Sequence, residues 1–243
     1  MVEVTFAQLQ GWLVAFLWPF IRLSSFFVAG PLLGHSSIPN QVKIALAELL
    51  TFIVAPGIGP LPAVPLVSWA GLGIIIEQML IGLSMGLIMH ILFAAVQAAG
   101  EFIGLQMGLA FATFFSPDTG ANTMILSRLL YMITLLFFLA LDGHLLLIQI
   151  LANTCTSLPI GIAGLPNLGA FDLLARFGST IFFSGMLLAL PVMASLLTIN
   201  LSLGILNRAA PQLTVFSVGF PLTLTMGIFL LMILMTDLGS FLE

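Results

Sequence analysis

The stretch GLGIIIEQMLIGLSMGLIMHILFAAVQAAGEFIGLQMG, residues 71–108, decides the fold of this chain. Most of its residues are apolar or small, and its acidic side chains are Glu77 and Glu101. This composition predicts helix from about Val67 to about Gly108. A single bilayer crossing needs only ~20 residues. We therefore expect either one long bent helix or two helices in succession.

The rest of the chain has the same character. Hydrophobic residues make up 60% of the 243 residues and charged residues only 6%, with a mean hydropathy of +1.25. Soluble domains carry about 25% charged residues, so we expect one integral membrane protein whose helices face lipid or other apolar helices. The start of the chain lacks the basic segment of a cleaved signal peptide. The net charge of −4 comes without a basic patch, which excludes nucleic acid as a partner.

Prolines and glycines divide the remaining sequence into further apolar segments. Their punctuation predicts an all-α fold, a membrane-associated bundle of long, kinked helices and helical hairpins. Asn40 is a candidate cap for the second helix, and we expect a turn over Leu141–Leu147. The main segments besides residues 67–108 are Trp12–Leu33, Asn40–Val54, Thr123–Ala140, a run ending at Leu158, Phe171–Leu206 with a kink at Pro191, and Val215–Met235.

One face of the predicted long helix combines small and polar residues. On a helical wheel, an arc of roughly 100° holds Gly82, Gly86, His90, Gln97, Gly100, Glu101, Gly104 and Gly108. Small residues four apart let two helix backbones approach closely. This face can pack within the chain or form an interface with helices of other subunits, and the residues alone leave both interpretations open.

The charged residues that lie in or beside apolar segments are dispersed along the chain, at Arg22, Glu77, Glu101, Arg128, Asp142, Arg176 and Asp237. Charge at a bilayer centre costs about 2.5–3.5 kcal/mol on insertion scales. These residues could therefore form an ion pathway or salt bridges between subunits, or the helices could lie outside the bilayer. A secondary small-molecule transporter with Glu77, Glu101 and Asp142 as coupling residues is the alternative function.

Catalytic and cofactor-binding patterns are missing from the sequence. It contains no HExxH, GxSxG, P-loop or CxxC pattern, so we expect neither enzymatic activity nor a cofactor or metal. The single cysteine, Cys155, excludes an internal disulfide and is expected to be a buried apolar residue.

The segment Gly108–Asn122, GLAFATFFSPDTGAN, differs from its surroundings. Phe111, Phe114 and Phe115 would share one face, just before a predicted turn that contains Ser116, Pro117, Asp118 and Gly120. Such a knob could close a pore sterically, since hydrophobic constrictions gate by dewetting. An ordinary turn with core phenylalanines is the interpretation that the residues alone favour, because most aromatic clusters are core.

Three blocks make the chain resemble the FliR/SctT family of type III secretion export-gate subunits. They are RLSSFFVAGPLLG with IPNQVKIALA (residues 22–34 and 38–47), GEFIGLQMGLAFATFFSPDTG (100–120) and LNRAAPQLTVFSVGFPLTL (206–224). The GFP at 219–221 is closer to the flagellar branch than to the virulence (injectisome) branch. The order and spacing of the blocks extend the resemblance over essentially the whole chain.

The resemblance implies a noncatalytic subunit that completes a helical ring with FliP- and FliQ-type export-gate subunits. A FlhB-type membrane protein docks on this ring, and unfolded flagellar export substrates pass through it. By analogy, residues 1–165 are the FliP-like part, with the plug loop at about 108–122, and residues 166–243 are the FliQ-like hairpin.

The resemblance also assigns roles to particular residues. It places the plug on the loop that contains Phe111, Phe114 and Phe115, and it makes charged residues such as Arg22 and Glu77 candidates for pairing between subunits. It implies a location in the inner membrane at the flagellar basal body, in contact with lipid, with much of the chain on the periplasmic side. The cytoplasmic hairpin tip would comprise Asn207, Arg208, Pro211 and Gln212.

Overall fold

A computed structural model describes residues 5–35, 38–59, 61–62, 64–109, 125–161, 168–209 and 218–242. Helices dominate these ranges, which contain no strand, so the all-α prediction is confirmed. The α-helices are α1 (Phe6–Ala29), α2 (Asn40–Val54), α3 (Trp69–Gln106), α4 (Ile125–Ala140), α5 (Gly143–Ser157), α6 (Leu168–Phe177), α7 (Thr180–Ala209) and α8 (Phe220–Leu242). A single 3-10 turn, Ala55–Gly57, follows α2.

The first two helices start differently from the prediction. The α1 helix begins six residues before Trp12, where the side-chain oxygen of Gln8 accepts a hydrogen bond from the Thr5 N–H at 3.0 Å. It then continues through Pro19 and ends before Gly30. Asn40 is the first residue of α2 rather than its cap, because Pro39 occupies the cap position.

The long apolar stretch forms one helix of 38 residues, α3, without a break. Of the two expectations for this stretch, the single helix is therefore the one observed. Glycine in a helix interior costs roughly 0.5–1 kcal/mol relative to alanine, so packing must hold the glycine-rich parts of α3 in helical form.

Two turns differ from the prediction. The expected turn over Leu141–Leu147 is confined to Leu141 and Asp142, because Asp142 takes a left-handed conformation (φ 56°) and α5 starts at Gly143. The expected helix over Phe171–Leu206 is broken at Gly178 and Ser179 into α6 and α7. Pro191, where a kink is predicted, lies inside α7, and the kink stays a prediction.

The described chain divides into two compact units. Unit 1 comprises residues 1–91 and 142–178, and unit 2 comprises residues 92–141 and 179–243. The α3 helix contributes its first part to unit 1 and its second part to unit 2. The predicted FliP-like and FliQ-like parts, divided at residue 165, concern likeness to other proteins, and that prediction is not tested by this division.

Each unit has its own apolar core. Unit 1 buries Leu23, Phe26, Phe27, Ala47, Leu50 and Leu151 in one cluster, and Val14, Trp18, Ile74 and Ile160 in another. The core of unit 2 joins α3, α4, α7 and α8, and includes Val96, Ile103, Met107, Leu130, Leu188, Leu196 and Leu231.

Three helical stretches are long and apolar enough to cross a membrane: Gln8–Ala29, Trp69–Gln106 and Asp172–Ala209. The number rises to four if α4 and α5 count together as one broken span. The predicted membrane-associated bundle of long helices is thus what the described residues form.

Candidate functional site

The predicted plug lies outside the described residues. Its members Phe111, Phe114, Phe115, Ser116, Pro117, Asp118 and Gly120 all fall within residues 110–124. The helices that carry this segment, α3 before it and α4 after it, are described and belong to unit 2 at these ends. The geometry of these two ends defines the candidate site.

The α3 helix ends in a Schellman motif, in which a left-handed residue turns the chain out of the helix. Gly108 has φ 82°, a conformation that suits glycine because it has no Cβ. The Gly108 N–H donates to the Leu105 carbonyl at 3.1 Å, and the Leu109 N–H donates to the Gly104 carbonyl at 3.0 Å. The sequence 104–109 therefore fixes the direction in which the chain leaves α3.

Side chains from α7 and α8 bind the last carbonyls of α3. The Asn200 amide donates to the Gln106 carbonyl at 3.3 Å. The Thr223 hydroxyl has two acceptors within hydrogen-bond distance of its one proton, the Phe220 carbonyl of its own helix at 3.1 Å and the Met107 carbonyl at 3.4 Å. These carbonyls have no partner inside a helix that ends here. The Met107 side chain is buried, and a Cβ at Gly227 would come within 2.6 Å of it. Two helices from the end of the chain thus hold the start of the segment.

The other end of the segment is held by α3 itself. The Ser127 hydroxyl, in the first turn of α4, donates to the Gln97 carbonyl at 2.9 Å. A Cβ at Gly100 would lie 2.6 Å from the Ser127 Cα, so only glycine permits this approach of α3 and α4. Leu126 and Leu130 add buried contacts on the same side. Both ends of residues 110–124 are therefore fixed in the core of unit 2.

The small-residue face of α3 makes its close contacts within the chain at three positions. Gly82 and Gly86 pack against α1, where a Cβ would meet the Arg22 carbonyl oxygen and the Ala29 Cβ, respectively. Gly100 packs against α4, as described above. Within-chain packing, one of the two interpretations of this face, is therefore observed there. Gly104 and Gly108 lie in the Schellman motif, Glu101 is half-buried, and contact of this face with other subunits stays a prediction.

Arg22 is fully buried in unit 1 and hydrogen-bonded within its own chain. Its Nε donates to the Gln78 Oε1 at 2.7 Å, and its two terminal nitrogens donate to the carbonyls of Thr154 and Leu158 at 2.7 and 2.9 Å. Those carbonyls lie at the C-terminal end of α5, where a cation is favourable against the helix dipole. One guanidinium thus joins α1, α3 and α5.

Glu77 is also buried, at 1% exposure. No ion pair or hydrogen bond to Glu77 occurs among the described residues, and its Oε1 atom is buried without a partner. The pairing of Arg22 or Glu77 with another subunit stays a prediction. The contacts made by Arg22 are nevertheless with its own chain.

The remaining predicted site residues occupy separate positions. Asn207 and Arg208 form the end of α7, and Arg208 is exposed, whereas Pro211 and Gln212 lie outside the described residues. Of the proposed coupling residues, Glu77 is buried, Glu101 half-buried and Asp142 exposed. In the described ranges, no three His, Cys, Asp or Glu residues form a group that could hold a metal ion.

Sequence reasoning missed the polar residues that organise these contacts. Gln78, Asn200 and Thr223 bind partners 56, 94 and 116 positions away. Each is an uncharged polar residue within a strongly apolar helix. That isolation is a usable signal, since such side chains hydrogen-bond across helices in membranes.

The fold and this site define a multi-helix membrane protein in which a segment between two long helices is fixed at both ends. The family of bacterial export proteins, family 1, matches residues 13–243. Flagellar biosynthetic protein FliR of Escherichia coli is 46% identical over 243 residues, which cover all of this chain and 92% of that protein.

Two further relatives carry the same name. FliR of Pectobacterium carotovorum is 48% identical over 97% of this chain and 90% of its own length, and FliR of Bacillus subtilis is 35% identical over 91% and 86%. The chain belongs to the family of bacterial export proteins, and the resemblance to the FliR/SctT family is confirmed.

Proposed function

We propose that this chain is a noncatalytic core subunit of the flagellar type III protein-export gate. The observation that carries the proposal is the match of essentially the whole chain to flagellar FliR proteins. The relatives given above come from the flagellar branch rather than the virulence branch. In this proposal the chain completes the channel ring with FliP- and FliQ-type subunits, contacts a FlhB-type protein, and lets unfolded flagellar substrates pass.

The location follows from the same proposal. The chain lies in the bacterial inner membrane at the flagellar basal body, with much of it on the periplasmic side. Three membrane-length helices support a membrane location. The exposed apolar side chains of α7 and α8, such as Phe182, Phe183 and Phe229, need lipid or other subunits to cover them.

Within the gate, residues 108–122 close the resting pore and move aside for substrates. The support is the fixation of both ends of residues 110–124 in one core, because a steric plug needs a firm base. Phe111, Phe114 and Phe115 supply the apolar bulk that excludes water and ions from a constriction.

Alanine at Phe111, Phe114 and Phe115 together tests the plug, in the full chain produced with its export-gate partners. We expect cells to leak small ions, measured as a loss of membrane potential, while the native mass of the extracted complex is unchanged. The matched control replaces three exposed phenylalanines of α7 and α8, Phe182, Phe183 and Phe229. Because these side chains can contact other subunits, the control also requires an unchanged native mass of the complex.

The outcomes separate three functions. An intact complex with unchanged permeability would reject the plug and leave an assembly scaffold. A lone monomer in the presence of all partners, together with saturable flux of a small molecule by the isolated chain, would favour the secondary transporter. A complex that contains one copy of this chain and leaks in the loop variant alone supports the export gate.

A further inference from the structure

An aromatic surface of unit 1 contains an unpaired carboxylate. The surface, here called the α1/α2 face, consists of Trp12, Phe16, Phe20, Glu48, Leu49 and Phe52. Trp12 is 64% exposed and Phe52 is 74% exposed. The Phe16 ring contacts the Phe52 ring edge to face, with 5.7 Å between the ring centroids, and it stacks on the Phe20 ring with 5.9 Å between the centroids. These contacts make α1 and α2 one continuous face.

The two helices run antiparallel, which fixes the level of Glu48. Near the start of α2, the Lys43 ammonium donates to the Gly34 carbonyl, beyond the C-terminal end of α1. Towards the end of α2, Phe52 contacts Phe16. Glu48 precedes Phe52 by four residues, about 6 Å along a helix, so it lies level with the middle of the apolar stretch Gln8–Ala29.

Glu48 is exposed and has no hydrogen bond or ion pair in the part of the chain that the structure describes. Any cover for this apolar face, whether lipid or another helix, takes Glu48 out of water, and a carboxylate that is buried without a partner is costly. Other exposed charges avoid this cost: Arg128 lies in the first turn of α4, and Asp172 pairs with Arg176 at 2.8 Å. Glu48 therefore calls for a cation supplied from outside the chain.

We propose that the α1/α2 face binds an apolar helix of another export-apparatus subunit that places one Lys or Arg against Glu48. The inference rests on the proposed function, because that function supplies the neighbouring subunits. Lipid does not meet the charge requirement. A second copy of this chain that is centred on Glu48 does not meet it either, because the two-fold axis would bring two Glu48 carboxylates together, and Lys43 is already bonded within its own chain.

A photo-crosslinking amino acid at Phe52 tests the proposal in the full chain, produced in cells with its native export partners. We expect an adduct with an apolar peptide that carries Lys or Arg within one helical turn of the linked residue, identified by mass spectrometry. An adduct with lipid only, with a second copy, or with a segment that lacks a basic residue would overturn the inference.

Charge variants sharpen the test. Glu48→Lys should lower the yield of the adduct at least tenfold and Glu48→Gln several-fold, whereas the exposed control Asp172→Asn should leave it unchanged. When the partner's basic residue is replaced by an acidic one, the Glu48→Lys variant should again form the adduct. The native mass of the complex distinguishes failure of the proposed function from failure of this inference. Absence of a complex for the unmodified protein contradicts the proposed function. An intact complex with a lipid adduct contradicts this inference alone.

Discussion

The cores of the two units share close helix contacts at glycines, at Gly82 and Gly86 in unit 1 and at Gly100 in unit 2, and they differ in their buried polar groups. In unit 1 a buried charge, Arg22, ties three helices together by hydrogen bonds. Among the described residues of unit 2, the buried ones are apolar apart from hydroxyl-bearing ones such as Ser127 and Thr223. There the helices are joined by close backbone approach at Gly100 and by side chains that bind the end of α3.

The difference teaches how one apolar chain can specify particular contacts. Apolar packing alone is weakly selective in lipid, where tails are as apolar as leucine. The Arg22 guanidinium gives unit 1 specificity, because its N–H donors point in fixed directions that match few arrangements of acceptors. Unit 2 gains it from shape, because a methyl group at one glycine would collide with the neighbouring backbone. Variants of each device should therefore fail for different reasons and by different amounts.

The largest effect is expected for Arg22→Met. The substitution leaves Gln78 Oε1 and the carbonyls of Thr154 and Leu158 without the donor that they bind. Each buried acceptor that loses its partner costs about 1–3 kcal/mol. We expect little chain in the membrane fraction and a large drop in the unfolding temperature of the detergent-purified protein.

Two comparisons check this reason. Arg128→Met removes an exposed arginine and should have a small effect. In a double-mutant cycle, Gln78→Met should cost much less when Arg22 is already methionine, because the pair is lost only once. Additive costs for the two substitutions would contradict the central place of the Arg22–Gln78 bond in unit 1.

A smaller effect is expected for Gly100→Ala in unit 2. The added methyl group would meet the Ser127 Cα, and overpacking of this kind costs about 1–3 kcal/mol. The matched control is Gly73→Ala on the same helix, where a Cβ meets nothing within 4 Å and the higher helix propensity of alanine favours stability. Unfolding temperatures of the two variants should move in opposite directions, and equal shifts would show that shape at Gly100 is unimportant.

The sequence predicts those parts of the fold that depend on local composition. The apolar run of residues 71–108 predicts α3. The prolines within residues 56–65 predict the break in helix between α2 and α3. The break at Gly178 and Ser179 was not predicted, because the residues on both sides form an apolar, helix-compatible run. For the same reason, the observed helix ends lie up to several residues away from the predicted ends.

The candidate site was predictable only in part. The small-residue face of α3 indicates close helix contacts, but whether Gly82 meets α1 or another subunit depends on tertiary structure. Likewise, the charge of Arg22 indicates that partners must exist, yet a carbonyl has no sequence signature. Arg22 donates to the carbonyls of Thr154 and Leu158, which are 132 and 136 positions away in sequence. No local pattern could therefore identify these acceptors.

The smallest effects are expected at the base of residues 110–124. Thr223→Val removes the hydroxyl that binds the Met107 carbonyl, and Asn200→Ala removes the amide that binds the Gln106 carbonyl. A neutral hydrogen bond contributes about 0.5–1.5 kcal/mol, and the distances of 3.4 and 3.3 Å favour the lower part of that range. The global unfolding temperature should therefore fall only slightly, while limited proteolysis between residues 109 and 125 should become faster.

The control for this last prediction lies two residues away on the same helix. The Thr225 hydroxyl is exposed and bonds only carbonyls of its own chain segment, those of Pro221 and Leu222. Thr225→Val makes the same chemical change as Thr223→Val without touching α3, so cleavage should stay at the rate of the unmodified protein. Equal acceleration in both variants would mean that α8 does not hold the end of α3. A selective effect of Thr223→Val and Asn200→Ala would mean that a few hydroxyl and amide contacts, rather than the apolar core alone, set the position from which the segment starts.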